Sequence, residues 1–329
     1  MPQLITFTPN PALDITYTVD ALKIGSTHRV EDFVYRAGGK GINTASVLAQ
    51  MGYPTLAVGF FSSPEYLADL EKRKLEWHGK FSFLPLPMPF PNRQSVAIVA
   101  DGDATVFNEA GPNYGTMNPN DVTQHWEQAW LQALELDWAT PNAFVSINGS
   151  FAQGSPKGML GRLITGLHNL GCWVMVDTSG QFLLEAAQAG ADCLKPNVAE
   201  LREATGITEL SAAARSLLSL GARSLLISAG KDGLAYVEHP AAPVHTASLQ
   251  VEWAAPGMTL EGNPTGAGDA AVAGFLSGMS ENLPTHEALG RAVSWSAAAV
   301  PAAVAGVVET DTVATIAAKM TFQTEEWSA

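Results

Sequence analysis

The sequence predicts an α/β protein whose core is a doubly wound, mainly parallel β-sheet with helices on both faces. The first observation is a series of short, almost entirely apolar segments, which are typical of strands buried on both faces. The second is that stretches with helical periodicity lie between these segments, so that crossover connections join the strands. The third is that glycine-rich or polar segments follow several strands. Because ligands bind at the carboxyl ends of the strands in such sheets, we expect the functional residues there.

The predicted elements can be assigned in order along the chain. Leu4–Phe7 is a short apolar run that ends before Pro9, as expected of a first strand. Gly38–Gly41 opens a helical pattern of apolar residues, and Gly52 ends it. The other predicted strands are Asp14–Val19, Arg29–Tyr35, Thr55–Phe61, Gln94–Ala100, Ala104–Asn108, Phe144–Ile147, Trp173–Asp177, Cys193–Lys195 and Ser224–Ser228. The other predicted helices are Pro156–Leu170, Gln181–Ala189, Ser211–Leu220 and a buried helix within Ala292–Val308.

Two extended regions do not fit the alternation of strand and helix. They cover about 13–35 and 92–110, and the second contains the hairpin signal Asp101-Gly102. We interpret them as a small β-sheet lid on a single domain that spans 1–329. Leu84–Pro91 is rich in proline and is predicted to be a loop.

The composition excludes several classes of function. The chain has 18 Lys and Arg against 32 Asp and Glu, a net charge of −14, so it gains nothing from counterion release on a nucleic acid. Its two cysteines, Cys172 and Cys193, lack the spacing of a disulfide framework or a zinc site. No signal-peptide pattern is present at the start, and Ala292–Val308 is too short to span a membrane. We therefore expect a cytoplasmic protein that binds neither nucleic acid nor membrane.

The segment Thr265–Asp269 places two glycines and an acid where a helix begins. The backbone amides of Gly266, Ala267 and Gly268 can form an anion-binding concavity, which the helix dipole strengthens. If the anion were a transferring phosphoryl group, Asp269 would accept the proton of an attacking hydroxyl. A glycine turn followed by an ordinary acid at a helix N-terminus is the alternative. Residue types alone do not separate the two interpretations.

Three further segments suit the same chemistry, and each has a purely structural alternative. Gly38–Asn43 is not a Walker A loop, but a ligand can lie against its backbone while Asn43 reaches sugar hydroxyls; a tight strand-to-helix turn fits equally well. Asn197 and Glu200 are spaced to hold Mg²⁺-bound water, although a capping box is favoured on spacing alone. Asp14 suits either a pair of sugar hydroxyls or a turn.

Taken in order, these motifs resemble the ribokinase-like (PfkB-type) carbohydrate kinases, and most of all their hexose-phosphate branch. The matching motifs are NPALD, AGGKGIN, the NGS of Asn148–Ser150, the DTSG of Asp177–Gly180, KPNVAEL and TGAGDAAVAGF. They run over nearly the whole chain, and the last is the most specific. The resemblance implies the ribokinase-like fold, ATP and Mg²⁺ as cofactors and a small sugar phosphate as partner. Lid strands in this architecture sometimes pair between subunits, so a homodimer is also expected.

The resemblance implies a role for each matching position. Asp269 would be the catalytic base, with the amides of Gly266, Ala267 and Gly268 as the anion hole. The residues that would bind the sugar phosphate are Asp14, Arg29, Gly38, Gly39, Lys40, Asn43, Arg93 and Ser150, of which Arg29 and Arg93 would be the cations for its phosphate. Those that would bind the nucleotide are Lys195, Asn197, Ser228, Gly230, Thr265 and Gly268. Asn197 and Glu200 would place Mg²⁺ indirectly, through water.

The chain departs from the family pattern mainly near the expected sugar site. Ser62–Glu65 replaces a glycine-rich step, and the residue before Arg93 is not the usual threonine. These departures leave the identity of the sugar open, whereas the phosphoryl-transfer motifs are intact. The expected reaction is ATP-dependent phosphorylation of a phosphorylated ketohexose, with fructose 1-phosphate as first choice. The alternatives are a tagatose-6-phosphate kinase or 6-phosphofructokinase, a kinase for non-phosphorylated sugars or nucleosides, and a sugar-responsive regulatory protein on a kinase scaffold.

Overall fold

Two β-sheets and ten helices organise the part of the chain that the computed structural model describes, residues 2–31, 33–88, 90–100, 103–111 and 122–328. The strands are β1 (Leu4–Thr8), β2 (Ala12–Thr18), β3 (Phe33–Gly38), β4 (Thr55–Gly59), β5 (Phe81–Pro85), β6 (Arg93–Ala100), β7 (Asp103–Asn108), β8 (Phe144–Asn148), β9 (Trp173–Asp177), β10 (Cys193–Leu194), β11 (Ser224–Ser228), β12 (Leu234–Glu238), β13 (Leu249–Ala255) and β14 (Thr321–Trp327). The helices are α1 (Lys40–Gln50), α2 (Pro64–Glu76), α3 (Val122–Glu135), α4 (Met159–Asn169), α5 (Gly180–Gln188), α6 (Val198–Thr205), α7 (Leu210–Leu220), α8 (Ala267–Ser280), α9 (Thr285–Ala299) and α10 (Thr310–Lys319).

The larger sheet has ten strands in the order β14-β13-β12-β11-β10-β9-β8-β1-β4-β5. Neighbouring strands from β11 to β5 run parallel, and β12, β13 and β14 extend one edge in antiparallel pairs. Apolar side chains of α3, α4, α5 and α7 cover one face, and those of α1, α8 and α9 cover the other. This confirms the predicted doubly wound, mainly parallel sheet. No described helix is long and apolar enough to cross a membrane.

The smaller sheet has four strands in the order β3-β2-β6-β7. Its strands come from the two regions that did not fit the alternation, with β2 parallel to β6 and antiparallel to β3. A third apolar cluster, which includes Leu13, Ile15, Tyr66 and Leu70, packs this sheet against α1 and α2. The smaller sheet is separate from the larger one, as predicted, and its action as a lid stays a prediction.

Several predicted boundaries are wrong. The strand predicted over Arg29–Tyr35 is displaced, since β3 runs over Phe33–Gly38. The helix predicted within Ala292–Val308 begins earlier and ends at Ala299, because Pro301 lacks an amide hydrogen and restricts the residue before it. The loop predicted over Leu84–Pro91 begins inside β5, which ends at Pro85. The turn residues Asp101 and Gly102 lie outside the described residues, although β6 and β7 pair as a hairpin.

The parallel strands bring a row of polar residues to their carboxyl ends, which lie together along one side of the larger sheet. Thr8, Asn148, Asp177 and Ser228 end β1, β8, β9 and β11, and Lys195 follows β10 directly. Because the carboxyl ends of parallel strands lie side by side, residues that are far apart in sequence meet there. The amino terminus of α8 lies on this same side and completes it.

Candidate active site

Asp269 lies buried in the first turn of α8, at the centre of the site. The N-cap Gly266 has φ 89°, and a Cβ there would come within 2.9 Å of Ala305, so this position requires glycine. The Nδ2 of Asn43 donates to the Oδ2 of Asp269 at 2.8 Å, and the Thr44 hydroxyl donates to its backbone carbonyl at 3.2 Å. The first turn of α1 therefore fixes the Asp269 carboxylate.

The electrostatic surroundings of Asp269 suit a proton acceptor. Burial, and after it the charge of the neighbouring Asp177, raise the pKa of Asp269 to about 7. Lys40, the hydrogen bond from Asn43 and Lys195 act in the opposite direction. A carboxylate whose pKa lies near neutrality is matched to general base catalysis, because it is ionised yet still basic.

We expect the rate to depend on the ionisation of Asp269. Because only its ionised form accepts a proton, kcat/KM should fall as the pH decreases through about 7 and level off above it. The measurement is kcat/KM across neutral pH. Asn43→Ala removes a hydrogen bond that lowers the pKa of Asp269, so the acid limb of this variant should move to higher pH. Because the substrate titrates identically with both proteins, a difference between the two profiles belongs to the protein. An acid limb near 3.8 in the wild type would contradict the expectation.

Two lysines share one carboxylate oxygen at the end of β9. The Nζ atoms of Lys40 and Lys195 each lie 3.2 Å from the Oδ1 of Asp177. Asp177 and Lys195 are buried, and Asp177 holds the pKa of Lys40 above its ordinary value. Lys195 also approaches the anion-hole backbone, since a Cβ on Gly268 would lie 3.6 Å from its Nζ. The pair places positive charge beside the helix amides, as binding of phosphoryl oxygens requires.

Asn197 and Glu200 form the capping box of α6. The Asn197 side chain accepts a hydrogen bond from the Glu200 amide at 2.8 Å, and the Oε2 of Glu200 accepts one from the Asn197 amide at 2.9 Å. The structural alternative is therefore present. The other carboxylate oxygen, Oε1, lies 4.0 Å from the Nζ of Lys40, which leaves it at the site. The role of both residues in placing Mg²⁺ stays a prediction.

Asp14 occupies the smaller sheet, against the turn that precedes α1. A Cβ on Gly38 would collide with the Asp14 carboxylate, and Gly39 has φ 118°, so the close approach depends on both glycines. Burial raises the pKa of Asp14 to about 6, whereas Arg93, Arg73 and Arg36 lower it. Asp14 is thus a partly buried acid within β2 whose pKa responds to the charges of three arginines, and not a turn residue.

Arg93 begins β6 and lies next to β2 in the smaller sheet. Its guanidinium donates to the backbone carbonyl of Glu109 at 3.3 Å and to that of Asn10 at 3.5 Å. The Nδ2 of Asn10 donates to the Ser150 hydroxyl at 3.2 Å, which connects this region with the end of β8. Hydrogen bonds thus connect Arg93 with Asn10 and Asn10 with Ser150, and the charge of Arg93 acts on Asp14.

Four other predicted residues lie at the rim of the site or outside it. Arg29 is exposed between β2 and β3, and among the described residues it forms no ion pair. Thr265 is exposed, and its amide donates to the Asn263 side chain at 3.0 Å. Ser228 donates its amide to the carbonyl of Pro196 at 3.0 Å, next to the Lys195 segment. Gly230 follows in a short turn with φ 61°. Their contacts with ligands stay predictions.

Three residues in this region were not predicted from the sequence. Asp177 ends the apolar strand β9 and opens the DTSG motif, and both are signals that could have assigned it a role. Arg36 shares a face of the smaller sheet with Asp14, its partner in the β2–β3 register, and donates to the Ala305 carbonyl at 2.9 Å. Arg73 is buried although it lies in a helix with alternating charges, and no local pattern in the sequence distinguishes it from a surface residue.

The fold and the site together have the parts that a phosphotransferase needs: a buried carboxylate in the first turn of a helix that begins at a glycine, and two lysines that share a second carboxylate close to it. The model of the pfkB family of carbohydrate kinases matches residues 8–79 and 101–309, which is more than half of the chain. The chain belongs to the pfkB family of carbohydrate kinases. It is therefore a sugar phosphotransferase, and the family implies the use of ATP.

Solved structures share this fold at low sequence identity. Phosphofructokinase-2 from Escherichia coli in complex with potassium has a TM-score of 0.80 and 22% identity, with 97% of this chain and 99% of that chain covered. The same enzyme in complex with fructose-6-phosphate has a TM-score of 0.78 and 22% identity, again with 97% and 99% covered. A possible 1-phosphofructokinase from Thermotoga maritima has a TM-score of 0.73 and 17% identity, with 98% and 99% covered.

Proposed function

We propose that this carbohydrate kinase transfers the γ-phosphoryl group of ATP to a phosphorylated ketohexose, with fructose 1-phosphate as first choice and fructose 1,6-bisphosphate as product. The observation that carries the proposal is that Arg93 opens β6 opposite Ala12, two residues from Asp14 on the neighbouring strand, and that its charge acts on Asp14 in a chain of net charge −14. To bind a non-phosphorylated sugar, a site needs groups such as the Asp14 carboxylate that accept hydrogen bonds from the sugar hydroxyls, but it needs no cations. Guanidinium groups in the same pocket supply local attraction for a substrate phosphate.

The described residues also fit a nucleotide with its metal. The Oδ2 of Asp177 is buried without a hydrogen-bond partner among the described residues, and the Oε1 of Glu200 lies at the same site. Among the described residues there is no cluster of three or more His, Cys, Asp or Glu that could hold a metal ion. Glu200 and Asn197 would hold Mg²⁺ in this way, and Ser228 and Gly230 would bind the nucleotide. When bound, ATP with Mg²⁺ supplies the phosphoryl group and neutralises its negative charge.

The side chains divide the remaining work between them. Asp14 and Asn43 orient the acceptor hydroxyls, and Arg93 fixes the substrate phosphate. Asp269 accepts the proton of the attacking hydroxyl, while Lys195 and the amides of the Gly266–Gly268 segment stabilise the developing charge. The smaller sheet excludes water from the acceptor side, which limits hydrolysis of the nucleotide.

The experiment that tests the proposal compares acceptors in a coupled assay of ATP consumption. Fructose 1-phosphate, tagatose 6-phosphate, fructose 6-phosphate, free fructose and a nucleoside are offered in turn. We expect the highest kcat/KM with a sugar phosphate, and with fructose 1-phosphate among the three. Higher kcat/KM with free fructose or the nucleoside would overturn the assignment of a phosphorylated acceptor. Preference for tagatose 6-phosphate or fructose 6-phosphate would replace only the sugar.

Arg93→Met should raise the KM for the sugar phosphate about 10- to 100-fold, because a charge-assisted hydrogen bond contributes about 1.5–3 kcal/mol. The KM for ATP should stay unchanged, since Arg93 lies on the acceptor side. Both constants are measured in the coupled assay.

Two matched variants accompany Arg93→Met. Arg223→Met removes an arginine that is 65% exposed and pairs with Asp192. Both residues precede strands and so lie at the amino-terminal ends, away from the site, and neither KM should change. Arg29→Met tests the expectation for Arg29, which contributes only if its segment closes over the sugar. Equal increases in the two KM values for Arg93→Met would contradict its assignment to the substrate phosphate.

We also propose a homodimer that forms through the exposed part of the sheet face whose other part packs against α1 and α2. Phe33, Tyr35 and Phe107 are 51%, 41% and 58% exposed on this face, and the first two rings stack edge to face at 5.4 Å. Exposed aromatic clusters of this kind mark protein interfaces. A tetrameric inhibited form of phosphofructokinase-2 from Escherichia coli shares the fold. Sedimentation of the wild type and of Phe107→Lys tests the proposal: a monomeric wild type would contradict it.

A further inference from the structure

The backbone between β3 and α1 is held by three side chains of α2, which we call the α2 clamp: Tyr66, Asp69 and Arg73. Asp69 accepts a hydrogen bond from the amide of Ala37 at 2.9 Å through its Oδ2. Arg73 donates to the carbonyl of the same residue through its Nη2. The Tyr66 hydroxyl donates to the carbonyl of Gly38 at 2.6 Å. Three backbone groups of two consecutive residues are thus fixed by one helix.

The α2 clamp occupies the place of a missing strand. β3 is an edge strand of the smaller sheet, so the backbone groups of Ala37 that face away from β2 have no strand partner. In an antiparallel strand the amide and carbonyl of one residue point to the same side. Asp69 accepts from that amide and Arg73 donates to that carbonyl, which is the pairing a neighbouring strand would provide. Since Ala37 is buried, water cannot satisfy these groups instead.

The ion pair within the α2 clamp is itself held in place. The Nε and Nη2 atoms of Arg73 each lie 2.9 Å from the Oδ2 of Asp69, and its Nη1 donates to the Ser46 hydroxyl at 3.0 Å. The Arg73 side chain is only 4% exposed. Burial of such a pair adds little stability compared with apolar residues of the same shape, because desolvation opposes the attraction. A buried pair of this kind is better explained by the geometry that it imposes.

The geometry fixed in this way is that of the acceptor pocket. Ala37 and Gly38 lead directly into Gly39 and Lys40, and Gly38 packs against the Asp14 carboxylate. Arg73 and Asp69 also act on the ionisation of Asp14, in opposite directions. A displacement of this backbone would move the groups proposed to hold the sugar. The nucleotide side, around Lys195 and Ser228, has no described contact with α2.

We propose that Tyr66, Asp69 and Arg73 are positioning residues for acceptor binding, which act through the backbone of Ala37 and Gly38. The inference rests on the proposed function, because it assigns the acceptor pocket to a sugar phosphate. It predicts that variants of the α2 clamp lose affinity for the acceptor but keep their affinity for the nucleotide, a difference that a purely structural role would not produce.

The sharpest variant is Tyr66→Phe, which removes only the hydroxyl that donates to Gly38. The ring stays, and so does its stacking on Phe61 at 5.3 Å. The KM for the sugar phosphate should rise about fivefold, as expected for one hydrogen bond, while the KM for ATP stays unchanged. Arg73→Lys keeps the charge but cannot reach all its partners together, so its increase should be larger.

The control is Tyr53→Phe, which removes a half-buried, hydrogen-bonded tyrosine hydroxyl near the amino-terminal ends of the parallel strands. That hydroxyl donates to Glu281 at 2.7 Å and accepts from Arg291 at 2.8 Å. Tyr53→Phe should lower the melting temperature but leave both KM values unchanged. If Arg73→Lys fails to fold, Tyr66→Phe alone decides the outcome.

A second readout does not depend on turnover. Amide hydrogen exchange over 33–45 should be faster in Tyr66→Phe than in the wild type, and unchanged in Tyr53→Phe. If the wild type phosphorylated no sugar offered to it, the proposed function would fail and this measurement would decide on the α2 clamp. Unchanged exchange in Tyr66→Phe, or equal increases in its KM values for sugar and ATP, would overturn the inference.

Discussion

Asp269→Asn should lower kcat by about 100- to 10,000-fold, the range that a general base contributes. The amide that replaces the carboxylate cannot accept the proton of the acceptor hydroxyl. The affinity for ATP should stay unchanged, because the backbone amides of the Gly266–Gly268 segment and Lys195 are intact. Turnover is measured in the coupled assay, and ATP binding by titration calorimetry.

The stability of Asp269→Asn separates lost chemistry from lost folding. Burial raises the pKa of Asp269 from 3.8 to about 7 in the folded state. The protonated Asp269 carboxyl group therefore stabilises the folded state fully below pH 3.8, and this contribution is lost as the pH rises through 7. Above pH 7 the neutral asparagine avoids the cost of a buried charge, so the variant should unfold no more easily than the wild type. Asp311→Asn, which changes an exposed acid in the first turn of α10, is the control and should retain full turnover. Near-normal turnover in Asp269→Asn would contradict the assigned base.

Asp177→Asn should lower both the stability and the activity of the protein. It leaves the Nζ atoms of Lys40 and Lys195 without the carboxylate oxygen that each contacts at 3.2 Å. Removing one partner of a buried ion pair costs about 3–5 kcal/mol, and the value here should lie near the lower end because Lys40 is 39% exposed. The free energy of unfolding is measured by denaturation in urea.

The same substitution has an effect on the pH profile that instability alone would not produce. Asp177 raises the pKa of Asp269, so the acid limb of kcat/KM should move to lower pH in Asp177→Asn. Asp192→Asn is the matched control, since it removes a buried acid that pairs with Arg223 at 2.7 Å and with His168 at 2.9 Å, at the amino-terminal ends of the parallel strands. The control should lose stability without a shift of the acid limb. An identical shift in both variants would contradict the coupling of Asp177 to Asp269.

The features of the fold that depend on local pattern could be predicted from the sequence. Strands such as Trp173–Asp177 are buried on both faces, so their apolar runs identify them, and glycines mark the ends of the helices between them. The antiparallel strands β12, β13 and β14 were not predicted. β14, for example, reads TFQTEEW and is largely exposed, because an edge strand needs few apolar residues. Its pairing with β13 is a long-range contact that no local pattern specifies.

The residues of the phosphoryl-transfer side of the site were easier to predict from the sequence than those of the acceptor side. Asp269 and its glycines form one contiguous motif, so their proximity is encoded locally. Arg73 and Asp69 are four residues apart on a helix, which is the spacing of an ordinary surface pair. Only the packing of α2 against β3 shows that Arg73 is buried and that Asp69 is largely covered. Arg29 is a different case: the family resemblance assigned it to the substrate phosphate, the structure leaves its side chain exposed, and its contact with a substrate stays a prediction.

The measurement that tests the central claim most directly is a phosphorus NMR spectrum of the purified protein with ATP, Mg²⁺ and fructose 1-phosphate. A single spectrum resolves the nucleotide, the sugar phosphates and inorganic phosphate. Transfer to the sugar predicts that ADP and fructose 1,6-bisphosphate appear in equal amounts, with no equivalent release of inorganic phosphate. If ADP appeared only together with inorganic phosphate, or if ATP stayed intact with this acceptor and with the other sugar phosphates, the claim would be contradicted.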